Sequence, residues 1–308
     1  MRILVLGAGG QVGRALQVHM AARGEVVALD RSDADLAVPG SVARAVERVR
    51  PQIVINAAAY TAVDKAESEP DLALQVNAHA VRELAEACSQ HGAALIHYST
   101  DYVFDGAKSE PYAVADAPAP ASAYGRSKLA GEHAAAEAFD GEGAPPWLIL
   151  RVAWVYAPYG KNFLLTMLRV AREGKPLRVV ADQHGTPMSA DWIARMTAAL
   201  VRPGDAGAGR GALAATGLHH LSPAGSTTWH GFAQRIMERA HAHGLTPGAA
   251  EPPRVQPIST AEYPTPAKRP AQSCLDDSLG HLLPPRPDWT ELLEETLSEL
   301  AASPARPR

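Results

Sequence analysis

Cysteine is nearly absent from this chain: among 308 residues only Cys88 and Cys274 occur. Two cysteines build neither a disulfide framework nor a metal knuckle, so a packed core has to hold the fold, and a reducing cytoplasm is the expected compartment. An excess of positive charge is missing too. Lys and Arg number 29 against 33 Asp and Glu, a net charge of −4, which argues against nucleic acid or a membrane surface as partner. No stretch is long and apolar enough to span a bilayer. The opening Met1-Arg2-Ile3-Leu4-Val5-Leu6 looks at first like a signal peptide. Its apolar run is short and goes straight into glycines, which predicts a buried strand instead. No internal repeat is visible.

What is present is an ordinary apolar content of 46 %, in a chain long enough for one large α/β domain or two smaller ones. Short apolar runs at Ile3–Leu6, Glu25–Leu29, Ile53–Ile55, Ala93–Tyr98 and Trp147–Val152 alternate with helical patterns at Val42–Val49, Leu72–Cys88 and Ala121–Phe139. Buried strands alternating with helices predict a doubly wound parallel sheet of the Rossmann type. From about Val155 the pattern loosens. Helices are expected over Asn162–Glu173, Ala190–Val201, Trp229–His243 and Trp289–Ala302, and a strand over Leu177–Val180. A flexible loop is expected over Gly204–Gly211, a proline-rich irregular stretch over Pro247–Pro270, and a frayed tail from Pro304. The expected division is a nucleotide-binding part at 1–154, with 175–201 returning to it. Residues 155–174 and 202–308 would form a smaller, irregular α/β substrate-binding part.

The first strand runs into Gly7-Ala8-Gly9-Gly10-Gln11-Val12-Gly13, and a helical pattern follows. Glycines at 7, 10 and 13 permit a tight turn, a close approach to a pyrophosphate, and close helix–strand packing. The helix start then offers free N–H groups to phosphate. Asp30 ends the second strand, where an acid suits adenosine ribose hydroxyls; Arg31 beside it suits a 2′-phosphate. The choice between NADH and NADPH therefore stays open. The small residues Ala57, Ala58 and Ala59 after the third strand let the chain pass close to a ligand. Ser99 and Thr100 end the fourth strand, at the edge where such sheets bind ligands.

Tyr124 and Lys128 stand four residues apart, on one face of the predicted helix. An ammonium beside a phenol favours the phenolate, and a phenol brought toward neutrality is a useful acid or base. Alone the pair is a common coincidence; after a glycine fingerprint and a strand-end hydroxyl it is a catalytic candidate.

With those three features in order, the chain resembles the extended short-chain dehydrogenases/reductases. Longer stretches sharpen this toward the dTDP-4-dehydrorhamnose reductases: Asn56 to Glu67 (NAAAYTAVDKAE), Ser99 to Gly106 (STDYVFDG), Tyr124 to Glu132 (YGRSKLAGE), Arg151 to Tyr156 (RVAWVY), Asn162-Phe163, Asp182-Gln183 and Arg269-Pro270. The resemblance runs from Met1 to about Leu300. It implies reduction of the C4 ketone of a dTDP-4-dehydro-6-deoxyhexose by NADPH or NADH, giving dTDP-L-rhamnose for cell-surface polysaccharide. It implies Tyr124 as proton donor, Lys128 as its partner and holder of the nicotinamide ribose, and Thr100 as a hydrogen-bond donor to the carbonyl oxygen. Cofactor contacts would come from Gly7, Gly9, Gly10, Gln11, Val12, Gly13, Asp30, Arg31, Asp35, Leu36, Ala57, Ala58, Ala59 and Asn77, besides Tyr124 and Lys128. The sugar nucleotide would meet Lys65, Asp101, Tyr102, Trp154, Asn162 and Arg269.

Departures from the pattern are informative. Some members of that family dimerise around magnesium through an acid two residues past the last fingerprint glycine. Ala15 stands there, which puts the metal-bridged dimer in doubt and leaves monomer or homodimer open. The motif after Asp182-Gln183 reads His184-Gly185-Thr186-Pro187-Met188, and neither His184 nor Met188 receives a role. His219, His220, His241 and His243 lack accompanying acids or cysteines at ligand spacing, so solvent-exposed histidines are expected and no metal site. A 4,6-dehydratase of the same fold needs a second carboxylate after Asp101, where Tyr102 stands. An epimerase would retain its NAD through the cycle, and a methionine adenosyltransferase regulatory subunit would bind the dinucleotide without turnover.

Overall fold

The computed structural model describes residues 1–202, 212–246, 248 and 250–302. The first half alternates strictly. β1 (Arg2–Leu6), α1 (Gln11–Met20), β2 (Glu25–Leu29), α2 (Ser41–Val49) and β3 (Ile53–Asn56) come first. Then α3 (Pro70–Leu74) passes through a π turn at Gln75–His79 into α4 (Ala80–His91), followed by β4 (Ala94–Thr100), α5 (Ala123–Ala138) and β5 (Trp147–Val152). The second half is built of shorter pieces: β6 (Val155–Tyr156), α6 (Phe163–Arg172), β7 (Leu177–Val180), β8 (His184–Gly185), β9 (Met188–Ser189) and α7 (Ala190–Leu200). It ends with β10 (Gly217–His220), β11 (Thr227–Thr228), α8 (Trp229–Ala242), β12 (Val255–Ile258) and α9 (Trp289–Ala302).

The large sheet has six strands in the order β2-β1-β3-β4-β5-β10, each pair parallel. Its strands obey the period of two, with both faces apolar because helices cover both. Ile3, Val5, Ile53, Ile55, Ile96, Leu148 and Leu150 face α1 and α7, packing with Leu16, Met20 and Ile193. Leu4, Leu6, Val54, Leu95 and Ile149 face the other way, onto Val46, Val81, Leu84 and Ala135 of α2, α4 and α5. The chain leaves β1 toward one edge and returns through β3 toward the other. The strand order therefore reverses between β1 and β3, which opens a crevice at their carboxyl ends. A separate core, with Leu164, Leu168, Leu177, Phe232, Ile236, Trp289 and Leu293, ties α6, α8 and α9 to β7. No helix among the described residues is long and apolar enough to cross a membrane.

Strand pairing redraws parts of the sequence-based expectation. Leu177–Val180 pairs with Val255–Ile258 in a two-stranded sheet of its own, not with the large one. That second strand lies inside the stretch expected to be irregular. Conversely, Gly217–His220 joins the large sheet at its edge against β5, although a division at 202 would place it in the substrate part. The helix expected unbroken over Leu72–Cys88 contains the π turn around Asn77. The expectations for Gly204–Gly211 and for the tail from Pro304 fall outside the described residues.

Candidate active site

A cleft of about 1060 Å³ opens where β1 and β3 part. Gly7, Gly9, Gly10, Gln11 and Val12 form one wall, and Asp30, Arg31, Asp35 and Leu36 one end. Ala57, Ala58 and Ala59 line it from β3, and Tyr124 and Lys128 from α5. The fingerprint is built as its glycines require. Gly7 sits at φ +79°, and a Cβ on Gly13 would come within 2.1 Å of the Gly7 carbonyl oxygen, so α1 lies against the turn. Gly10 caps α1 without any side-chain hydrogen bond, which leaves the first-turn N–H groups for an anion. The cradle, the capless helix start and the cleft together fit a dinucleotide.

Two of the expected cofactor residues lie off the cleft lining. Gly13 serves the packing just described. Asn77 is buried in the π turn, where its amide donates to Tyr60 O at 3.0 Å and Ser127 Oγ at 2.9 Å and accepts from Tyr60 N at 2.9 Å. It ties the loop after β3 to α5. A Cβ on Gly131 would meet Asn77 O at 2.0 Å, so α5 touches the π turn backbone to backbone. At the end of the cleft beyond β2, Asp30 Oδ1 accepts from Ser32 N and Ser32 Oγ, both at 2.7 Å, and Arg31 pairs with Asp35 at 3.1 Å.

Ser122 caps α5, its hydroxyl accepting from Gly125 N at 3.1 Å, and this fixes Tyr124 in the first turn with Lys128 one turn later. Both are buried. Burial pushes the Tyr124 phenol up to about 12, with the Thr100 hydroxyl opposing and the Asp101 carboxylate adding to the rise. The spacing alone suggested a phenol brought toward neutrality by Lys128; here desolvation dominates and keeps the proton on the oxygen. Lys128 Nζ donates to Tyr98 O at 2.7 Å and lies 3.3 Å from His97 Nε2. Burial brings this ammonium down to about 8, with Glu132 opposing. Thr100 Oγ1 donates to Asp101 Oδ1 at 2.9 Å and accepts from Tyr102 N at 3.2 Å. Burial lifts the Asp101 carboxyl to about 6, against hydroxyls of Ser273 and Thr100.

The residues expected around the sugar divide. Lys65 lines the cleft, exposed and paired with Glu69 at 2.7 Å. Tyr102 stands edge-on to Tyr124, ring centres 5.6 Å apart, which places it and Asp101 beside the phenol. Trp154 takes a left-handed backbone, φ 44°, and stacks on Trp229 at 3.6 Å. A side chain in that region carries backbone strain, a condition that clusters at ligand sites. Arg269 grips Asp64 through both terminal nitrogens at 2.8 Å, so much of its fork is already occupied. Asn162 caps α6 and donates to Gln11 Oε1 at 2.8 Å, which makes it a link between the two parts of the chain.

Sequence reasoning passed over several lining residues. Gly160 and Lys161 reach the cleft from the loop before α6, brought there by the Asn162–Gln11 contact. Tyr98 lines it from β4, beside the Ser99 expected at the strand end, and Tyr60 and Thr61 from the loop after β3. His220 corrects the expectation of exposed histidines: it is fully buried, 3.3 Å from Arg151 Nη1, and Arg151 binds Glu132 at 2.8 and 2.6 Å.

A Rossmann-type sheet, a glycine-cradled cleft at its switch point and a Tyr–Lys pair on the adjoining helix define a nicotinamide-dependent oxidoreductase of the short-chain type. The family model of the RmlD substrate binding domain matches residues 1–302. The dTDP-4-dehydrorhamnose reductase of Burkholderia thailandensis is 48% identical over 90% of this chain and 91% of its own length. That of Escherichia coli K12 is 41% identical over 99% of this chain and all of its own. A solved dTDP-4-dehydrorhamnose reductase from Bacillus anthracis, in complex with NADP, superposes with a TM-score of 0.85 at 34% identity, covering 97% of this chain and 99% of that one. The chain belongs to the dTDP-4-dehydrorhamnose reductase family. A UDP-glucose 4-epimerase from Thermus thermophilus, 23% identical with a TM-score of 0.79, shares the fold.

Proposed function

We propose that this chain reduces the C4 ketone of dTDP-4-dehydro-6-deoxy-L-mannose to dTDP-L-rhamnose. NADPH or NADH, held in the glycine-cradled cleft, supplies the hydride. The observation that carries the reading is Tyr124: a buried phenol, held protonated, on the wall of that cleft. Ketone reduction needs a proton as well as a hydride. Tyr124 Oη gives its proton to the carbonyl oxygen as the C=O becomes C–OH, a contribution of ~10²–10⁴-fold for a positioned acid. A phenol pushed up to about 12 stays protonated until an alkoxide develops beside it. Lys128 orients the cofactor ribose and holds the end of β4 through Tyr98 O. Asp101 and Tyr102 shape the sugar pocket beside Tyr124, and Lys65 and Arg269 approach the sugar nucleotide from the rim.

The test is NAD(P)H oxidation with dTDP-4-dehydrorhamnose made in situ. Oxidation that depends on the sugar is expected with the unaltered protein. In Tyr124→Phe, turnover is expected to fall ~10²–10⁴-fold while cofactor still binds. Full activity in that variant removes Tyr124 as the acid, and no oxidation of either cofactor removes the reductase reading.

A further inference from the structure

His97 lies in the interior of β4 and is 1% exposed, with a side-chain donor on each side. Its Nδ1 is 3.1 Å from Asn56 Nδ2 and its Nε2 3.3 Å from Lys128 Nζ. Burial and the Lys128 charge hold this imidazole well below its ordinary value, so it is neutral, with one N–H and one lone pair. Which nitrogen holds the proton follows from Asn56. Ala58 N donates to Asn56 Oδ1 at 3.1 Å, which fixes the amide and turns its NH₂ toward Nδ1. Nδ1 must then accept, and Nε2 carries the hydrogen, aimed at Lys128. An ammonium has three donors and no acceptor, so it cannot receive that hydrogen, whereas a neutral amine can.

The opposite state needs the opposite arrangement. If Lys128 is an ammonium donating to Nε2, the ring proton sits on Nδ1, and Asn56 must turn its oxygen to meet it. Its NH₂ would then face the Ala58 N–H, on the wall of the dinucleotide cleft. We propose that the Asn56–His97 pair acts as a positioning device that disfavours the ammonium form of Lys128 and couples its charge to the backbone lining the cofactor cleft. Burial acts in the same direction on Lys128. The groups that face Lys128 are Tyr98 O and His97 from β4, and Glu132 and the protonated Tyr124 from its own helix; of these Glu132 and the Tyr98 carbonyl favour the charge. Glu132 is itself held by Arg151 through two hydrogen bonds.

The inference deepens the reductase reading of this site, but its primary test needs no substrate, so the two can fail separately. Nitrogen-15 spectra of histidine-labelled full-length protein, followed with pH, report the tautomer; the signal is assigned by its loss in His97→Gln. The expected result is an Nε2–H ring at high pH that passes to Nδ1–H at low pH with one midpoint. That midpoint should vanish in Lys128→Met. It should rise by about one unit or more in Asn56→Asp, whose carboxylate keeps the Ala58 acceptor but draws the ring proton to Nδ1, favouring the ammonium. A single tautomer across the range, or a midpoint that survives Lys128→Met, overturns the proposal. Turnover of Asn56→Asp with dTDP-4-dehydrorhamnose should show its pH profile displaced in the same direction; an undisplaced profile with a displaced spectrum would remove the reductase link alone.

Discussion

Asp64 and Arg269 stand 205 residues apart in the chain and meet through two parallel hydrogen bonds of 2.8 Å. The pair holds the loop after β3 against the segment that follows β12, across the rim where the sugar nucleotide is proposed to enter. The Asp64 carboxyl is held below its ordinary range by the guanidinium. A lysine cannot reproduce the fork. Arg269→Lys is expected to raise the KM for the sugar nucleotide about 3- to 10-fold, a modest effect because the pair is partly exposed. Cofactor affinity should stay within about twofold; a change confined to the cofactor would place Arg269 elsewhere.

Gly13 has no room for a methyl group, since its Cβ would stand 2.1 Å from Gly7 O. Gly13→Ala must push α1 away from the turn. Overpacking of this kind typically costs about 1–3 kcal/mol. The expected outcome is a lower melting temperature together with a cofactor Kd raised by tenfold or more. Thermal unfolding with and without NADPH checks both, and the gap between the two curves should shrink.

Asp101 gives a pH dependence with a defined sign. Its carboxyl is raised from 3.8 to about 6 in the folded protein, chiefly by burial. A raised folded value means the folded state holds the proton more tightly. The stability this contributes is complete below the ordinary value of 3.8 and is lost as pH rises through about 6. A difference near two units corresponds to roughly 3 kcal/mol at most. Asp101→Asn keeps an oxygen for Thr100 Oγ1 and removes the titration. It is expected to be more stable than the unaltered protein at about pH 8 and to show no gain at about pH 4. Denaturant melts at the two values measure the difference; equal effects at both would mean the carboxyl does not titrate in this range.

Arg31 lines the end of the cleft beyond β2, is 80% exposed and is paired only with Asp35 among the ion pairs of the described residues. A charged hydrogen bond to a 2′-phosphate is typically worth about 1.5–3 kcal/mol. Arg31→Ala is therefore expected to raise the KM for NADPH about tenfold and leave that for NADH unchanged. Steady-state kinetics with each cofactor decide, and equal effects on both would assign Arg31 to the shape of the loop.

The fold was legible where short, mostly apolar runs stood between turn-forming residues. Glu25–Leu29, Trp147–Val152 and Leu177–Val180 are strands with the bounds the sequence suggested. β10 escaped because Gly217-Leu218-His219-His220 is an edge strand, paired on one side, with two histidines where apolar residues were sought. β12 escaped because Pro257 interrupts it, which an outer position tolerates. The π turn left no trace, since it changes which carbonyl a helical N–H meets and not which residues are apolar. In the site, the glycine turn and the Tyr–Lys pair were readable as local motifs. Lys161 and His97 were not. Lys161 is delivered by a contact across 151 residues, and His97 sits in a strand with no local motif to set it apart.

Two of the five tryptophans, Trp154 and Trp229, lie face to face at 3.6 Å with their planes 6° apart. Indoles this close and parallel couple through their strong transition, giving a paired band in far-ultraviolet circular dichroism. Trp154 lies just past the end of β5, and Trp229 begins α8, so the signal depends on how those two elements sit together. The protein thus carries an intrinsic optical gauge of that contact, readable without label, coenzyme absorbance or turnover.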